Sequence, residues 1–440
     1  MTKQEVIRPL DESGLVVKEA YYQPEYLALE KERLWPRTWQ MACRAEEIPE
    51  VGDYLTYEIA DESIVIVRSA PDRLNAFFNV CRHRGRRITK GCGQATRLRC
   101  PFHGWQWDLD GKNTNVTQKE DWGGLLDDQD LSLPQVKCET WGGWVWINMD
   151  PTSETLADFL GEAANILAPF QLEKMRFRWR KWMVINCNWK IGLEAFNEGY
   201  HVGVTHHQLA QFGGTPHFSS GTYGRHGTFG SGTGSGTLGA NAAKSANIDT
   251  RQKMTDFYNY LKAQLDSNLT DTVVGAANRL VAELPADTPP MDVIQHLMVS
   301  SMKDDAARGL QWPMISPEQY QTAGIDWHIF PNMVLLPMAT NCLGYRARPN
   351  GDDPNTCIFE VYQLERFPEG EEPKKVENVR NDDIYDDGFW GEILLQDFQQ
   401  MEGTHRGVKS RSYVRPRLNP QQEKPVANFH RTYHEYISTE

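Results

Sequence analysis

Cys81-Arg82-His83-Arg84-Gly85 and Cys100-Pro101-Phe102-His103-Gly104-Trp105 stand with 16 residues between His83 and Cys100. Each arm offers one thiolate and one imidazole at short spacing, among residues that favour turns. Two Cys and two His match an iron–sulfur centre in which two His replace two Cys on one of the irons. They also suit tetrahedral zinc. Zinc fingers, however, group a Cys pair and then a His pair, whereas here each arm carries one of each. Trp105 and Trp107 follow the second arm, and Trp141, Trp144 and Trp146 lie further on. A dry aromatic surround of this kind limits solvent access and tunes potential. The arms therefore read as a redox centre of the Rieske 2Fe–2S type.

Outward from the arms, residues 40–150 have the texture of short strands. Ser63-Ile64-Val65-Ile66-Val67-Arg68, the 74–80 run that ends at the first arm, and Gly143-Trp144-Val145-Trp146-Ile147-Asn148 are the clearest. Several short strands with Gly and Pro turns imply a small antiparallel β domain with the arms at loop tips. Residues 1–39 carry an apolar stripe of Tyr26, Leu27, Leu29, Leu34 and Trp35. They are expected to form a helical segment packed on the larger, C-terminal domain. That domain, 151–440, reads as mixed. Helices are expected at 154–168, 188–212, through most of 250–310 and at 382–402, with strands at 179–186, 325–338 and 358–367. The fold class is α+β. Residues 227–239 read as a Gly/Ser/Thr surface loop. The dinucleotide-like Gly234-Ser235-Gly236-Thr237-Leu238-Gly239 within it follows no strand and is rejected as a nucleotide site.

The bulk numbers exclude some functions. A chain of 440 residues supports two or three domains, and a net charge of -13 argues against nucleic acid as partner. No run of about 18 apolar residues exists to span a membrane, and residues 1–12 lack an apolar signal core. A cytoplasmic protein is expected. Of the eight cysteines, the six outside the arms are expected to be free thiols, with Cys92 incidental.

A second motif lies at Glu198-Gly199-Tyr200-His201-Val202-Gly203-Val204-Thr205-His206-His207. At helical spacing Glu198 and His201 share a face, and the step from His201 to His206 predicts a distortion near Gly203. Two His and one carboxylate with open positions form the facial triad of non-haem Fe(II) oxygenases. Glu198 and the distant Asp397, in Leu395-Gln396-Asp397-Phe398, are both candidates for the carboxylate.

Taken together, these motifs resemble the large (α) subunits of Rieske non-haem iron ring-hydroxylating oxygenases. The resemblance rests on both arms, on Asn188-Trp189-Lys190 leading into Glu198-Gly199-Tyr200-His201, and on Phe389-Trp390 followed by Asp397. It covers nearly the whole chain. It implies a small antiparallel β Rieske domain and a larger catalytic domain with an antiparallel sheet flanked by helices. It implies that Cys81 and Cys100 hold one iron of the cluster and His83 and His103 the other. His201, His206 and a bidentate Asp397 would hold Fe(II), with His207 as the alternative to His206. Glu198 matches the family's bridging carboxylate, usually Asp, which links the iron site to a cluster histidine of the neighbouring subunit. Glu at this position resembles relatives that demethylate quaternary amines. Glu194 stands where many relatives have Asn, as support for the site or as a buried, paired acid.

The implied activity is O2 activation with NAD(P)H-derived electrons. These arrive through a separate reductase, with or without a ferredoxin. The implied outcome is mono- or cis-dihydroxylation of an aromatic substrate. O- or N-demethylation of an aromatic ether or a quaternary amine is the alternative. A plain Rieske electron carrier and a zinc-stabilised binding protein are the rivals from other classes. A head-to-tail homotrimer, or an α3β3 assembly with a small β subunit, is implied. Aromatic residues such as Phe196, Phe218, Phe229, Trp327 and Phe330 are candidates for the substrate wall. Arg346 and Arg348 are expected to be surface charges rather than a carboxylate site.

Overall fold

The computed structural model describes residues 10, 11, 13–212, 218–230 and 249–438. The chain divides into two compact units, Leu29–Phe159 and a larger one made of Met1–Ala28 with Leu160–Glu440.

In the smaller unit, seven strands form one antiparallel sheet. Their order is Gln40–Arg44, Trp144–Asn148, Gln135–Trp141, Arg73–Phe78, Glu62–Ala70, Asp53–Ile59 and Cys92–Gln94. Strand Glu62–Ala70 is the expected one, and Ser63 through Val67 are all buried, as suits a central strand covered on both faces. Side chains alternate along it. Val65 and Val67 join Phe77, Leu98, Trp105 and Trp107 in an apolar cluster that also contains Cys81 and Cys100. The metal arms are thus seated on the sheet by their own cysteines. A second sheet of three short strands, Leu98–Arg99, Gln106–Trp107 and Asn113–Asn115, brackets the second arm.

The unit boundaries fall at 28/29 and 159/160, not at the expected 39/40 and 150/151. Hydrogen bonding explains the first shift. Trp39 Nε1 donates to the Glu154 carbonyl at 3.0 Å and Asn148 Nδ2 to that of Arg37 at 3.2 Å, which ties residues 29–39 to the small sheet. Lys18 Nζ instead donates to the carbonyls of Ser410 and Tyr413 in the larger unit. The expected single N-terminal segment is therefore shared between the two units.

The larger unit is built on an eight-stranded sheet. Its order is Ser220–Tyr223, His226–Phe229, Asp326–Ile329, Met333–Pro337, Asn341–Asn350, Asp353–Glu365, Arg176–Ile185 and Asn378–Arg380. All neighbours are antiparallel except the last pair. One face is covered by helix Trp189–Glu194. A Cβ on its Gly192 would stand 3.5 Å from Cys357 Sγ and from Phe359, and 3.6 Å from Ala347 Cβ. Helix Glu392–Val408 lies on the same face. It buries Leu394, Asp397, Phe398, Met401 and His405 at three- and four-residue spacing, and Phe398 packs edge-on to Phe359 at 5.8 Å. Helix Lys424–Ser438, missed in the sequence, presses Pro425 against Gly227, where a Cβ would fall 2.6 Å away. Three helices, Thr250–Gln264, Asp271–Glu283 and Pro290–Ala307, form a satellite with its own core of Met254, Ala276, Ala277, Leu280, Val293 and Leu297.

Two sequence expectations fail in this unit. The 188–212 helix is broken into Trp189–Glu194, Val202–Thr205 and a 3-10 segment His207–Phe212. The 227–239 loop begins as strand His226–Phe229. Residues 231–239, with the rejected glycine fingerprint, lie outside the described residues.

Candidate metal centres

The two arms of the small unit fold into the same backbone turn. Gly85 N donates to Cys81 O at 3.0 Å and Cys81 N to Arg86 O at 2.9 Å. Gly104 N donates to Cys100 O at 3.1 Å and Cys100 N to Trp105 O at 2.9 Å. Gly85 and Gly104 close these turns at φ of 74° and 77°, where a side chain would be strained. The repeated frame brings the histidines together edge-on, with His83 Nδ1 and His103 Nδ1 3.1 Å apart. Both cysteines are buried, at 4% and 1% exposure. Burial, and a hydrogen bond with Cys100, push the Cys81 thiol up, while neighbouring backbone amides oppose them. Two imidazole nitrogens converge on one point and two thiols pair on their own, as a two-iron cluster with split ligands requires. Among the described residues, the set of three or more metal-ligating groups whose atoms all lie within 4.8 Å is His201, His206 and Asp397. The Cys/His arms do not close on a single ion. A tetrahedral zinc would demand that closure.

The shell around the arms differs in part from expectation. Trp105 stacks on His83 at 5.2 Å, and Trp122, which belongs to neither arm, meets His83 edge-on at 5.6 Å. Trp141, Trp144 and Trp146 instead pack on one another, outside the arms' apolar cluster. Cys92 is exposed, and none of the eight cysteines is in a disulfide.

The second site assembles across the larger unit. Asn188 caps helix Trp189–Glu194 by accepting from Lys190 N. After the helix ends, the chain bends, and Glu198 acts as an acceptor before Val202–Thr205. Its Oε2 takes the amides of Tyr200 and His201, and its Oε1 lies 2.6 Å from His201 Nδ1. The Glu198–His201 pairing is thus made by a turn and not by a helix face. His206 Nδ1 lies 2.8 Å from Gln396 Oε1, which also accepts from Gln208 Nε2. These acceptors take the Nδ1–H of both rings and leave both Nε2 atoms for a metal. Asp397 Oδ1 stands 3.7 Å from His201 Nε2 and 3.1 Å from His206 Nε2.

The geometry separates the sequence alternatives. His206 is buried and joins the set, while His207 is exposed. Asp397 faces the free nitrogens, while Glu198 holds the far side of His201. Burial works to lower the His201 pKa, but the Glu198 and Asp397 carboxylates reverse it to a net rise. His206 is raised in the same way against its burial, by Asp397 and Gln396. Two neutral imidazoles and a carboxylate on one side of a point suit Fe(II). Glu194 lies apart, with Oε1 2.8 Å from Tyr21 Oη and 2.9 Å from His430 Nε2, so it is a paired acid, half-buried rather than fully buried.

Arg346 corrects another expectation. It is 6% exposed, and its Nε donates to Glu360 Oε2 at 2.5 Å. Arg348 Nε stands 3.7 Å from the same oxygen. Burial would raise the Glu360 pKa, but the charges of Arg346, Arg348 and Arg180 bring it down to about 2. Tyr345 and Ala347 face the helix-covered side, where Asp397 also lies, so Arg346 and Arg348 leave the opposite face. They are a structural ion pair network away from the site.

Comparison with known proteins agrees with both halves. A Rieske [2Fe-2S] domain matches residues 38–136, and the catalytic domain of ring-hydroxylating alpha subunits matches 172–270 and 281–439. The chain belongs to the ring-hydroxylating alpha-subunit family, with a Rieske 2Fe–2S domain and a mononuclear iron domain in one polypeptide. It is 33% identical over 190 residues to the glycine betaine monooxygenase oxygenase subunit of Chromohalobacter salexigens, covering 43% of this chain and 42% of that one. It is 31% identical over 218 residues to the benzene 1,2-dioxygenase subunit alpha of Pseudomonas putida, covering 47% of each. The aligned part thus spans less than half the length of these relatives. Among solved structures, the quaternary ammonium Rieske monooxygenase CntA with L-carnitine superposes with a TM-score of 0.64 at 18% identity, over 98% of this chain and 99% of that one. Naphthalene 1,2-dioxygenase with indole gives 0.65 at 21%, over 98% and 94%. At those identities the likeness shows the fold.

Proposed function

We propose that this chain is the oxygenase component of a multicomponent Rieske oxygenase that hydroxylates an aromatic substrate, by mono- or cis-dihydroxylation. The observation that carries the reading is the convergence of His201, His206 and Asp397 to within 4.8 Å in a chain that also presents the Cys81/His83 and Cys100/His103 arms. Cys81 and Cys100 would hold one iron of the cluster, His83 and His103 the other, and His201, His206 and Asp397 the mononuclear iron. When bound, these groups supply one-electron transfer and oxygen activation.

The chain's own residues set the conditions. Glu198 fixes the His201 tautomer and Gln396 that of His206, so both ligands present Nε2 without reorganising. Glu198 is the acid positioned to pass charge and protons to a neighbouring subunit, in the bridging role. His83 and His103 each keep a second ring nitrogen for proton exchange. Trp105 and Trp122 shield the arms. Phe196 stacks on Tyr345 at 4.0 Å and supplies apolar wall beside the ligands. No helix among the described residues is long and apolar enough to cross a membrane. The cytoplasm is the compartment we assign. Partners are an NAD(P)H-dependent reductase, with or without a ferredoxin, and further copies in a trimer, with or without a β subunit.

A second reading, O- or N-demethylation, is favoured by Glu at 198 and by the similarity to glycine betaine monooxygenase. The test is reconstitution with a reductase and ferredoxin under 18O2, using aromatic hydrocarbons, aromatic acids, aryl ethers and quaternary amines. The label is expected in the product, as hydroxyl or as the formaldehyde released. NADH-dependent turnover that labels no product, with both metals loaded, would contradict the proposal.

A further inference from the structure

Asp326 opens strand Asp326–Ile329, is 2% exposed, and its Oδ1 is buried with no hydrogen-bond partner. A buried acid without a donor costs the fold free energy. Native proteins keep few such groups. Its neighbours place it on the side of the sheet that carries the metal ligands. Asp326 pairs with Phe229 across the strands, so the two side chains leave the same face. Phe229 packs edge-on against Phe218 at 5.5 Å. Phe218 in turn lies so close over Gly199 that a Cβ there would stand 2.2 Å from its ring. Gly199 follows Glu198, which holds His201. A chain of aromatic contacts therefore runs from the metal-binding turn to Asp326.

The electrostatics agree with this placement. Burial first, and then the charge of Glu198, push the Asp326 carboxyl well above its usual range. Burial, then the charges of Asp397 and Asp326, likewise push up the Tyr345 phenol, so Tyr345 feels both acids. Among the described residues no basic group offsets Asp326. His328, two residues on and on the same face, is lowered by burial to about 3 and is uncharged. Arg346 and Arg348 are tied to Glu360 on the opposite face.

We propose that Asp326 is a specificity-determining anchor beside the mononuclear site, selecting a substrate whose apolar body carries a cationic nitrogen. An arriving cation supplies the counter-charge against which the buried Asp326 carboxyl releases its proton to solvent, and the Phe218, Phe229 and Tyr345 rings supply faces on which ammonium groups rest. A substrate carboxylate at this position would add a third negative group beside Glu198 and Asp326, with no cationic partner among the described residues. The inference rests on the oxygenase reading and narrows it to an organic cation, whether an aryl amine that is hydroxylated or an ammonium that is demethylated.

The test is calorimetric binding to the iron-loaded holoenzyme, without reductant or turnover. The probes are benzyltrimethylammonium and its uncharged isostere neopentylbenzene. Wild type is expected to bind the cation at least about tenfold more tightly, and Asp326→Asn to bring the two within about twofold. Thermal melting of Asp326→Asn and Asp326→Leu guards against misfolding. Both are expected to melt at or above wild type, since they remove an unpaired buried acid. Absent or equal binding of the cation, a preference that survives Asp326→Asn, or a large drop in Tm in both variants would overturn the proposal. Failure of 18O incorporation with the cation preference intact would instead overturn the oxygenase reading alone.

Discussion

The two metal regions of this chain are built in opposite ways. The cluster arms are local: two copies of one glycine-closed turn, anchored by cysteines that belong to the core of a small sheet. The proposed mononuclear site is assembled at a distance. Its two histidines sit on a bent segment after one helix, and its carboxylate comes from another helix, with His206 and the Gln396 that orients it 190 positions apart. A local site survives as long as its turns do. An assembled site depends on the whole sheet that sets its two helices in register, and on the side chains that aim its ligands.

The largest expected effect separates the two regions directly. His201→Ala is expected to lose the mononuclear iron, and product formation by about a thousandfold or more, with the visible spectrum of the cluster retained. Cys81→Ser is expected to do the reverse, losing the cluster absorption and keeping one iron. Iron analysis with absorption spectroscopy checks both, and loss of both centres in either variant would show that the regions are not independent.

Glu198→Gln comes next. Both metals are expected to stay, while product formation falls by about a hundredfold, because His201 loses the carboxylate that orients it and the bridging acid is gone. Normal turnover with full iron content would remove Glu198 from that role.

The buried Glu360–Arg346 pair tests the dependence on the sheet. Glu360→Gln leaves Arg346 buried without a counter-charge and is expected to cost about 3 kcal/mol in denaturant unfolding of the larger unit. The sign of the pH effect follows from the depressed carboxyl. Held at about 2 against an ordinary value of 4.5, Glu360 stabilises fully above pH 4.5, and that contribution is lost as pH falls toward 2. The variant is expected to show a shallower loss across that window. The smallest effect is Gln396→Leu, which removes the acceptor at His206 Nδ1 and is expected to weaken iron affinity about tenfold, read by competition with a chelator.

The same contrast explains what was legible in the sequence. The arms could be read because Cys-x-His and Cys-x-x-His carry their chemistry within a few residues. His201 and His206 were legible for the same reason. Asp397 was not separable from Glu198 by spacing, because only the sheet and its two helices decide which acid faces the free nitrogens. Gln396, beside Asp397, carried no signal of its own, since an amide is common on helices. The 188–212 expectation is too long because propensity does not register that Glu198 takes the amides of Tyr200 and His201, which holds the chain in a turn between Glu194 and Val202. Arg346 was misplaced on the surface because its partner Glu360 lies on the neighbouring strand, and strand pairing is not written locally. Asp326 was missed because a lone Asp at a strand start looks like a turn residue until the face it occupies is known.

The most direct test of two centres in one chain is metal and sulfide analysis of protein purified anaerobically and reloaded with iron. About three irons and two acid-labile sulfides per chain, with negligible zinc, are the expected result. Zinc in place of iron, or iron that stops at one or two per chain after full reloading, would contradict it.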